Sequence, residues 1–455
     1  MADPVIVVGA GPAGTRAAQR LVQAGLRPVV VDENERQGGQ IYRRQSENFS
    51  RPAEKLYGAE AARARALHTD FEALRPHIDY RPGTMVWGVA EEGLLTVRDR
   101  AVATLPFSAI IIASGATDRI MPVPGWTLPG VYSLGASQIA LKAQACAVGG
   151  APVFMGTGPL LYLVAWQYLR AGVKPAAVLD TNSLATRLRG LRGMMTRARV
   201  LAHGVRYMAE LIRAGVPLHT GITPARIEGR EDGVTAIVWQ DARGRLRRTA
   251  CDAVATGFGL RAETQLADLL KCDFVFDRRF TQWRPRVDPD GRASRANVYL
   301  AGDGVLLRGA DAAETAGRLA ACALLQDRAL PVGTDEIADL RGILATMDRF
   351  AEGIASAFPW PAHMAAALPD DTVVCRCENV TAGDIRHAAT ALDSPEINRA
   401  KALTRPGMGR CQGRMCGLAA AEILAAARGV PVEQVGRIRT AAPLKPLPLD
   451  CTVTP

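Results

Sequence analysis

Over the first forty residues the chain switches between two hydrophobic rhythms. Val5-Ile6-Val7-Val8 is a continuous apolar run, Gly9-Ala10-Gly11-Pro12-Ala13-Gly14 interrupts it, helical spacing follows, and a second apolar run ends at Asp32-Glu33. This pattern predicts strand, glycine turn, helix and strand. Gly9 makes the bend and Gly11 admits a pyrophosphate against bare backbone. Pro12 and Ala13 open a helix whose N-terminus faces the phosphates, and Gly14 lets that helix pack close on the strand. Seventeen residues separate Gly14 from Asp32, which places an acid at the second strand's end, within reach of an adenosine ribose. Glu33 is the neighbouring candidate.

Three further stretches extend the pattern. Gly38-Gly39-Gln40 supplies bare backbone where a flavin's ring system would be approached. Ala109-Ile110-Ile111-Ile112 is a buried strand ending in the small residues Ala113, Ser114 and Gly115. Val298-Tyr299-Leu300-Ala301 is another, closed by Gly302 and by Asp303, an acid suited to a ribityl hydroxyl. Together the four stretches predict a two-part FAD fold. Pro52 to Leu74 reads as helical and Ile78 to Arg81 and Met85 to Trp87 as strands, with the backbone at Val86 placed to clamp an adenine.

A Pro/Gly-rich crossover from Pro122 to Gly130 marks a boundary. Beyond it the opening pattern recurs: Val153-Phe154-Met155 leads into Gly156-Thr157-Gly158-Pro159-Leu160-Leu161, a helix, and a strand ending at Asp180. Leu161 replaces the third glycine, so this unit is read as a degenerate NAD-like domain. Another adenine nucleotide, or none, is expected there ahead of NAD(P)H. The predicted layout is an α/β chain with a discontinuous FAD domain (1–115 and 251–330), the degenerate domain (116–250), a helix and linker (331–370), a small cysteine module (371–430) and a tail (431–455). Ala310 to Leu325 reads as a small-residue helix whose N-terminus approaches the flavin.

Composition narrows the partners. The 455 residues carry a formal net charge of +10, spread over dispersed arginines without a basic run interleaved with aromatics, so no nucleic-acid partner is expected. The arginines at 187, 189, 192, 197 and 199 read as a solvated or partner-facing surface. Met1-Ala2-Asp3-Pro4 leads directly into the first strand, no apolar stretch reaches the roughly 20 residues of a membrane helix, and a cytoplasmic location is expected. The six histidines show no metal or nucleophile spacing.

Four of the nine cysteines lie within 42 residues, as Cys375-Arg376-Cys377 and Cys411-Gln412-Gly413-Arg414-Met415-Cys416. Four thiolates suit a [2Fe-2S] cluster or structural zinc. A CxC with a CxxxxC departs from the CxxC pairs of zinc knuckles, and the glycines around Cys411 free backbone N–H groups for cluster sulfurs, so [2Fe-2S] is favoured. Thr381-Ala382-Gly383-Asp384 between the pairs has the form of a capping box. No redox dithiol follows Gly38-Gly39-Gln40, which argues against a disulfide reductase.

The GAGPAG start, the Asp32-Glu33 to Gly38-Gly39-Gln40-Ile41-Tyr42-Arg43 run, the Pro124-to-Val131 crossover and the CxC/CxxxxC tail resemble the A-type component of opine (octopine or nopaline) oxidases. The same family includes subunits of hydrogen cyanide synthase and of dye-linked hydroxyproline dehydrogenases, and the C-terminal part is similar to the bacterioferritin-associated ferredoxin [2Fe-2S] module. The resemblance implies a glutathione/thioredoxin reductase-like flavoprotein with FAD on Gly9, Gly11, Gly14, Asp32, Gln40, Gly302 and Asp303, and a cluster on Cys375, Cys377, Cys411 and Cys416. It also allows FMN at a subunit interface. It implies a B (beta) subunit resembling D-amino-acid or sarcosine oxidases and sometimes a small third iron-sulfur subunit. The expected activity is oxidation of an opine's CH–NH group, with electrons leaving to an acceptor other than NAD. No acid or base in this chain is singled out as catalytic. The alternatives are a component of a hydroxyproline/proline dehydrogenase or of hydrogen cyanide synthase, an NAD(P)H-dependent flavin reductase, and a non-catalytic redox scaffold.

Overall fold

A computed structural model describes residues 3–48 and 51–453; Met1 and Ala2, which the sequence reading placed before the first strand, and the last two residues of the predicted tail lie outside it. Two five-stranded parallel sheets organise the chain. In the first, Val298–Leu300, Ala109–Ile112, Val5–Val8, Val29–Val31 and Asp79–Arg81 lie side by side. Val8 is level with both Ile112 and Val31, and Ile112 with Leu300. The ends of four strands therefore meet at Gly9, Asp32, Ala113 and Ala301. Such runs of Val and Ile suit a parallel sheet buried on both faces.

The second sheet repeats the plan with Leu218–Thr220, Ala177–Asp180, Val153–Thr157, Val254–Phe258 and Val131–Ser133. Val254–Phe258 pairs along its whole length with Val153–Thr157. This corrects the predicted return to the FAD domain at residue 251. The return follows this strand, where Leu260–Ala262 pairs antiparallel with Ala116–Asp118. An apolar strand next to a small-residue turn reads alike in either sheet, and only the pairing partner separates them.

Backbone proximity explains several glycines. A Cβ on Gly14 would stand 1.7 Å from the Gly9 carbonyl oxygen, and one on Gly317 would stand 2.0 Å from that of Ala13. The helices Pro12–Gln23 and Ala310–Asp327 thus stack on the first sheet and on each other at distances no side chain allows.

The cysteine module is less separate than its composition predicts. Val374, Ile385, Ile397 and Leu424 share one apolar core with Val153, Leu179 and Trp239 of the second domain, and the Trp126 indole donates to the Val373 carbonyl at 2.6 Å. The segment 331–370 is packed rather than a spacer: helix Thr334–Ala357 is followed by buried Trp360 and Met364. The tail returns to the FAD domain, where Thr452–Val453 pairs with Ala101–Val102.

Candidate functional site

At the first sheet's carboxyl edge the structure brings together Gly9, Gly11, Asp32, Ala113, Ser114, Gly115 and Gly302. Gly9 has φ +105°, and a Cβ there would meet the Ala113 carbonyl oxygen at 2.5 Å. Gly11 differs: its φ is ordinary at −78°, and an added Cβ would meet only the Gly39 backbone, with the Cα nearest at 3.5 Å. The protein's own packing would thus admit a Cβ there, and the open backbone is of the kind that lets a pyrophosphate approach.

Buried Asp32 spends its carboxylate on the turn itself. Its Oδ2 accepts from the Ala10 N–H at 2.6 Å, and its Oδ1 from the Asn34 N–H at 2.7 Å and the Asn34 amide at 2.8 Å. Burial raises its pKa above the ordinary value, against those N–H groups. A carboxylate offers about four acceptor positions, so one remains. Glu33 points outward, lines an open groove of about 730 Å³ with Asn34, Arg36, Gly39, Arg43 and Arg44, and pairs with Lys445 from the tail. Gln40 is exposed and accepts from Arg43 at 2.8 Å. Val86 lies two residues beyond Thr84, whose N–H donates to the Asp32 carbonyl at 2.9 Å. Asp303 accepts from the Arg308 and Gly309 N–H groups through one oxygen and is raised by burial.

Arg36, Arg43 and Arg44 were not singled out from sequence, nor was Lys142. That lysine is buried, donates from Nζ to the Ile41 carbonyl at 3.1 Å, and burial lowers it to about 8. A pattern search for glycines and acids carries no signal for a cation 101 residues away from its acceptor.

The second fold closes the equivalent acid and helix-to-strand space. Asp180 is fully buried, and its Oδ2 accepts from the Tyr162 hydroxyl and from Arg187, both at 2.8 Å. Leu161 fills the space the missing glycine would leave, packed with Phe154 and Val164. Arg187 is therefore no solvated charge, and Arg197 pairs with Asp311; the sequence reading holds for the exposed Arg189, Arg192 and Arg199. Leu184, Leu188 and Met195 on the same segment are exposed.

The four module cysteines form a connected quartet. Cys416 lies beside Cys375 and Cys411, and Cys411 beside Cys377, near enough for each thiol to shift its neighbour's titration. Cys375 is lowered to about 6, chiefly by the Cys416 thiol and then by N–H groups of Gly407, Glu378 and Cys377. Cys411 is lowered to about 5, by Cys416 and then by Met415 and Gly413 N–H groups. Burial raises Cys377, and the two neighbouring sulfurs raise Cys416. Among the described residues no three His, Cys, Asp or Glu side chains converge on one ion-sized point. Four neighbouring thiols under backbone donors suit a two-iron cluster, whose four protein ligands are shared between two metals. A Cβ on Gly409 would meet that of Cys377 at 2.1 Å, so the loop closes on the CxC only through glycine. The Thr381 capping box forms, with both of its bonds.

The two sites are joined. Ser114 donates to the Glu263 carbonyl at 2.6 Å, and the Glu263 N–H donates to the Gly115 carbonyl at 2.9 Å. The Glu263 carboxylate pairs with Arg414, between Cys411 and Cys416, at 2.8 Å. Gln265 adds a bond of 2.7 Å to the Gln412 carbonyl.

Comparison with known proteins agrees with this geometry. The pyridine nucleotide-disulphide oxidoreductase family matches residues 3–323, and the BFD-like [2Fe-2S] binding domain matches residues 373–426. The A-type component of opine oxidase from Rhizobium meliloti is 37% identical over 98% of this chain and 86% of its own length. Hydrogen cyanide synthase subunit HcnB of Pseudomonas aeruginosa is 32% identical over 98% of this chain and 97% of its own length. The crystal structure of L-proline dehydrogenase from P. horikoshii superposes with a TM-score of 0.73 at 18% identity, covering 100% of this chain and 80% of that one. The chain therefore belongs to the pyridine nucleotide-disulphide oxidoreductase family as a homologue of the A-type opine oxidase component, and is a flavoprotein oxidoreductase that carries FAD and, in a BFD-like domain, a [2Fe-2S] cluster.

Proposed function

We propose that this chain is the flavin and iron-sulfur subunit of a heteromeric dehydrogenase that cleaves an opine-type secondary amine to an amino acid and a 2-oxo acid, with an acceptor other than NAD(P). The observation that carries this reading is the Ser114–Glu263–Arg414 connection, which docks the cysteine loop directly on the strand end beside the FAD cradle. FAD takes electrons in pairs and the cluster singly, so the two together suit a change from two-electron to one-electron transfer.

Gly9, Gly11, Pro12, Ala13, Gly14, Gly39 and Gln40 are proposed to line the FAD, with Asp32 or Glu33 at its ribose, Val86 at its adenine, and Ala113, Ser114, Gly115, Gly302 and Asp303 along its ribityl end. Cys375, Cys377, Cys411 and Cys416 are proposed to hold the cluster. The relatives are by name parts of larger enzymes, which supports a hetero-oligomer in which a B-type flavoprotein partner holds the amine. Oxidation of the C–N bond to an imine releases two electrons and two protons, and water then splits the imine. Asp180, sealed by Tyr162 and Arg187, supports a second domain that does not take NAD. Among the described residues no helix is long and apolar enough to cross a membrane; a cytoplasmic place is part of the proposal.

The test is anaerobic mixing of the purified chain with NADH, then with its co-purified partner and an opine or hydroxyproline, following flavin and cluster absorbance. The expected result is bleaching of both only with partner and amine. Bleaching by NADH alone would replace this reading with a nicotinamide-dependent reductase.

A further inference from the structure

Between the FAD fold and the cysteine loop lies a cavity of about 70 Å³ whose wall includes Arg261, Arg437, Gln412, Gly413 and Gly417. Its two arginines differ. Arg437 is neutralised by Asp268 through bonds of 2.6 and 2.7 Å. Among the described residues Arg261 forms no ion pair, and its buried Nε has no hydrogen-bond partner. Arg261 lies opposite Thr117 in the junction between the two domains, two residues before Glu263, whose carboxylate is held by Arg414. A guanidinium with a buried, unpartnered Nε and no ion pair carries a desolvation cost. Burial accordingly lowers its pKa, while Glu263, Cys416 and Cys411 pull the other way.

We infer that Arg261 is the built-in counter-cation of the iron-sulfur cluster and raises its reduction potential. The inference rests on the proposed ligation by Cys375, Cys377, Cys411 and Cys416. A cluster on four thiolates carries net negative charge, and reduction adds one electron with no ligand change. A fixed cation beside the cluster favours the more negative state, the more so where burial weakens screening. Glu263 faces the same loop with the opposite sign, so the two residues pull the potential in opposite directions.

The experiment uses the full chain with its cluster, titrated with dithionite against redox mediators and followed by electron paramagnetic resonance of the reduced cluster. Iron content of each variant reports ligation separately, so a chain that binds no cluster at all overturns the ligand assignment rather than the charge effect. Arg261→Gln is expected to shift the reduction equilibrium at least tenfold toward the oxidised form, about 59 mV downward for one electron. Arg261→Lys is expected to restore most of the shift. Glu263→Gln is expected to move the potential upward, which keeps the inference testable where Arg261→Gln assembles poorly. An unchanged potential in Arg261→Gln, an equal fall in Arg261→Lys, or a fall in Glu263→Gln would overturn it.

Discussion

The two parallel folds share a plan and differ at two positions. Gly11 and its counterpart Gly158 are both open, with no atom closer to an added Cβ than 3.5 and 3.9 Å. In the first fold, Gly14 brings the helix onto the strand, and Asp32 binds only backbone and Asn34. In the second, Leu161 fills the helix-to-strand space, and Asp180 is capped by a tyrosine and an arginine. The second has filled the helix-to-strand space and closed off its acid, while its glycine turn stays as open as that of the first. An open glycine turn therefore does not by itself mark a nucleotide site; the third glycine and the surroundings of the acid are what separate the two folds.

The comparison can be broken most sharply at Arg187. Arg187→Ala leaves Asp180 buried without its cation, and removing one partner of such a pair costs about 4 kcal/mol; urea unfolding of the FAD-loaded chain measures it. If Asp180 instead waits for a nucleotide, the variant would lose little stability and gain NADH binding. Leu161→Gly restores the three-glycine motif. It should nevertheless cost about 3 kcal/mol through the cavity it opens, with no NADH bleaching of the flavin. Gly11→Ala sits at the other end of the scale. Its Cβ meets nothing closer than 3.5 Å, so folding should persist. FAD affinity should fall at least tenfold, about 1.4 kcal/mol, as read from flavin content after gel filtration. A folded Gly11→Ala chain with full flavin would remove the pyrophosphate assignment.

Much of this architecture is legible in the residue order. Strand, glycine turn and acid follow from hydrophobic period and from the few residues that tolerate close backbone approach, so the strand–turn–helix–strand opening of each sheet, the strand ends at Ala113 and Ala301 and the capping box fall where the pattern puts them. The misses share a different cause. Whether Val254–Phe258 belongs to one sheet or the other depends on its neighbour in space. Whether Arg187 is solvated depends on a carboxylate seven residues earlier that folding buries. The Glu263–Arg414 bridge joins residues 151 apart in sequence, and the tail closes on the groove at Glu33 through Lys445. Local patterns report which face of an element is apolar; they do not report what meets it.

The smallest predicted effect sharpens the comparison through pH. In both folds burial raises the acid's carboxyl above the ordinary 3.8, with Asp32 opposed only by hydrogen bonds and Asp180 also by the charge of Arg187. An acid raised in the folded state contributes stability in full below its unfolded value and loses it as pH rises through its folded value. The melting temperature of the wild type relative to Asp32→Asn, or to Asp180→Asn, should therefore be most favourable at acid pH and decline as pH rises. Arg187→Gln removes the cation beside Asp180, so the Asp180 decline should move to higher pH, by about 1.4 kcal/mol for each pH unit of movement. The Asp32 decline should stay where it is. If both declines move together, or neither does, Arg187 is not specific to Asp180, and the second fold is not closed by that pair.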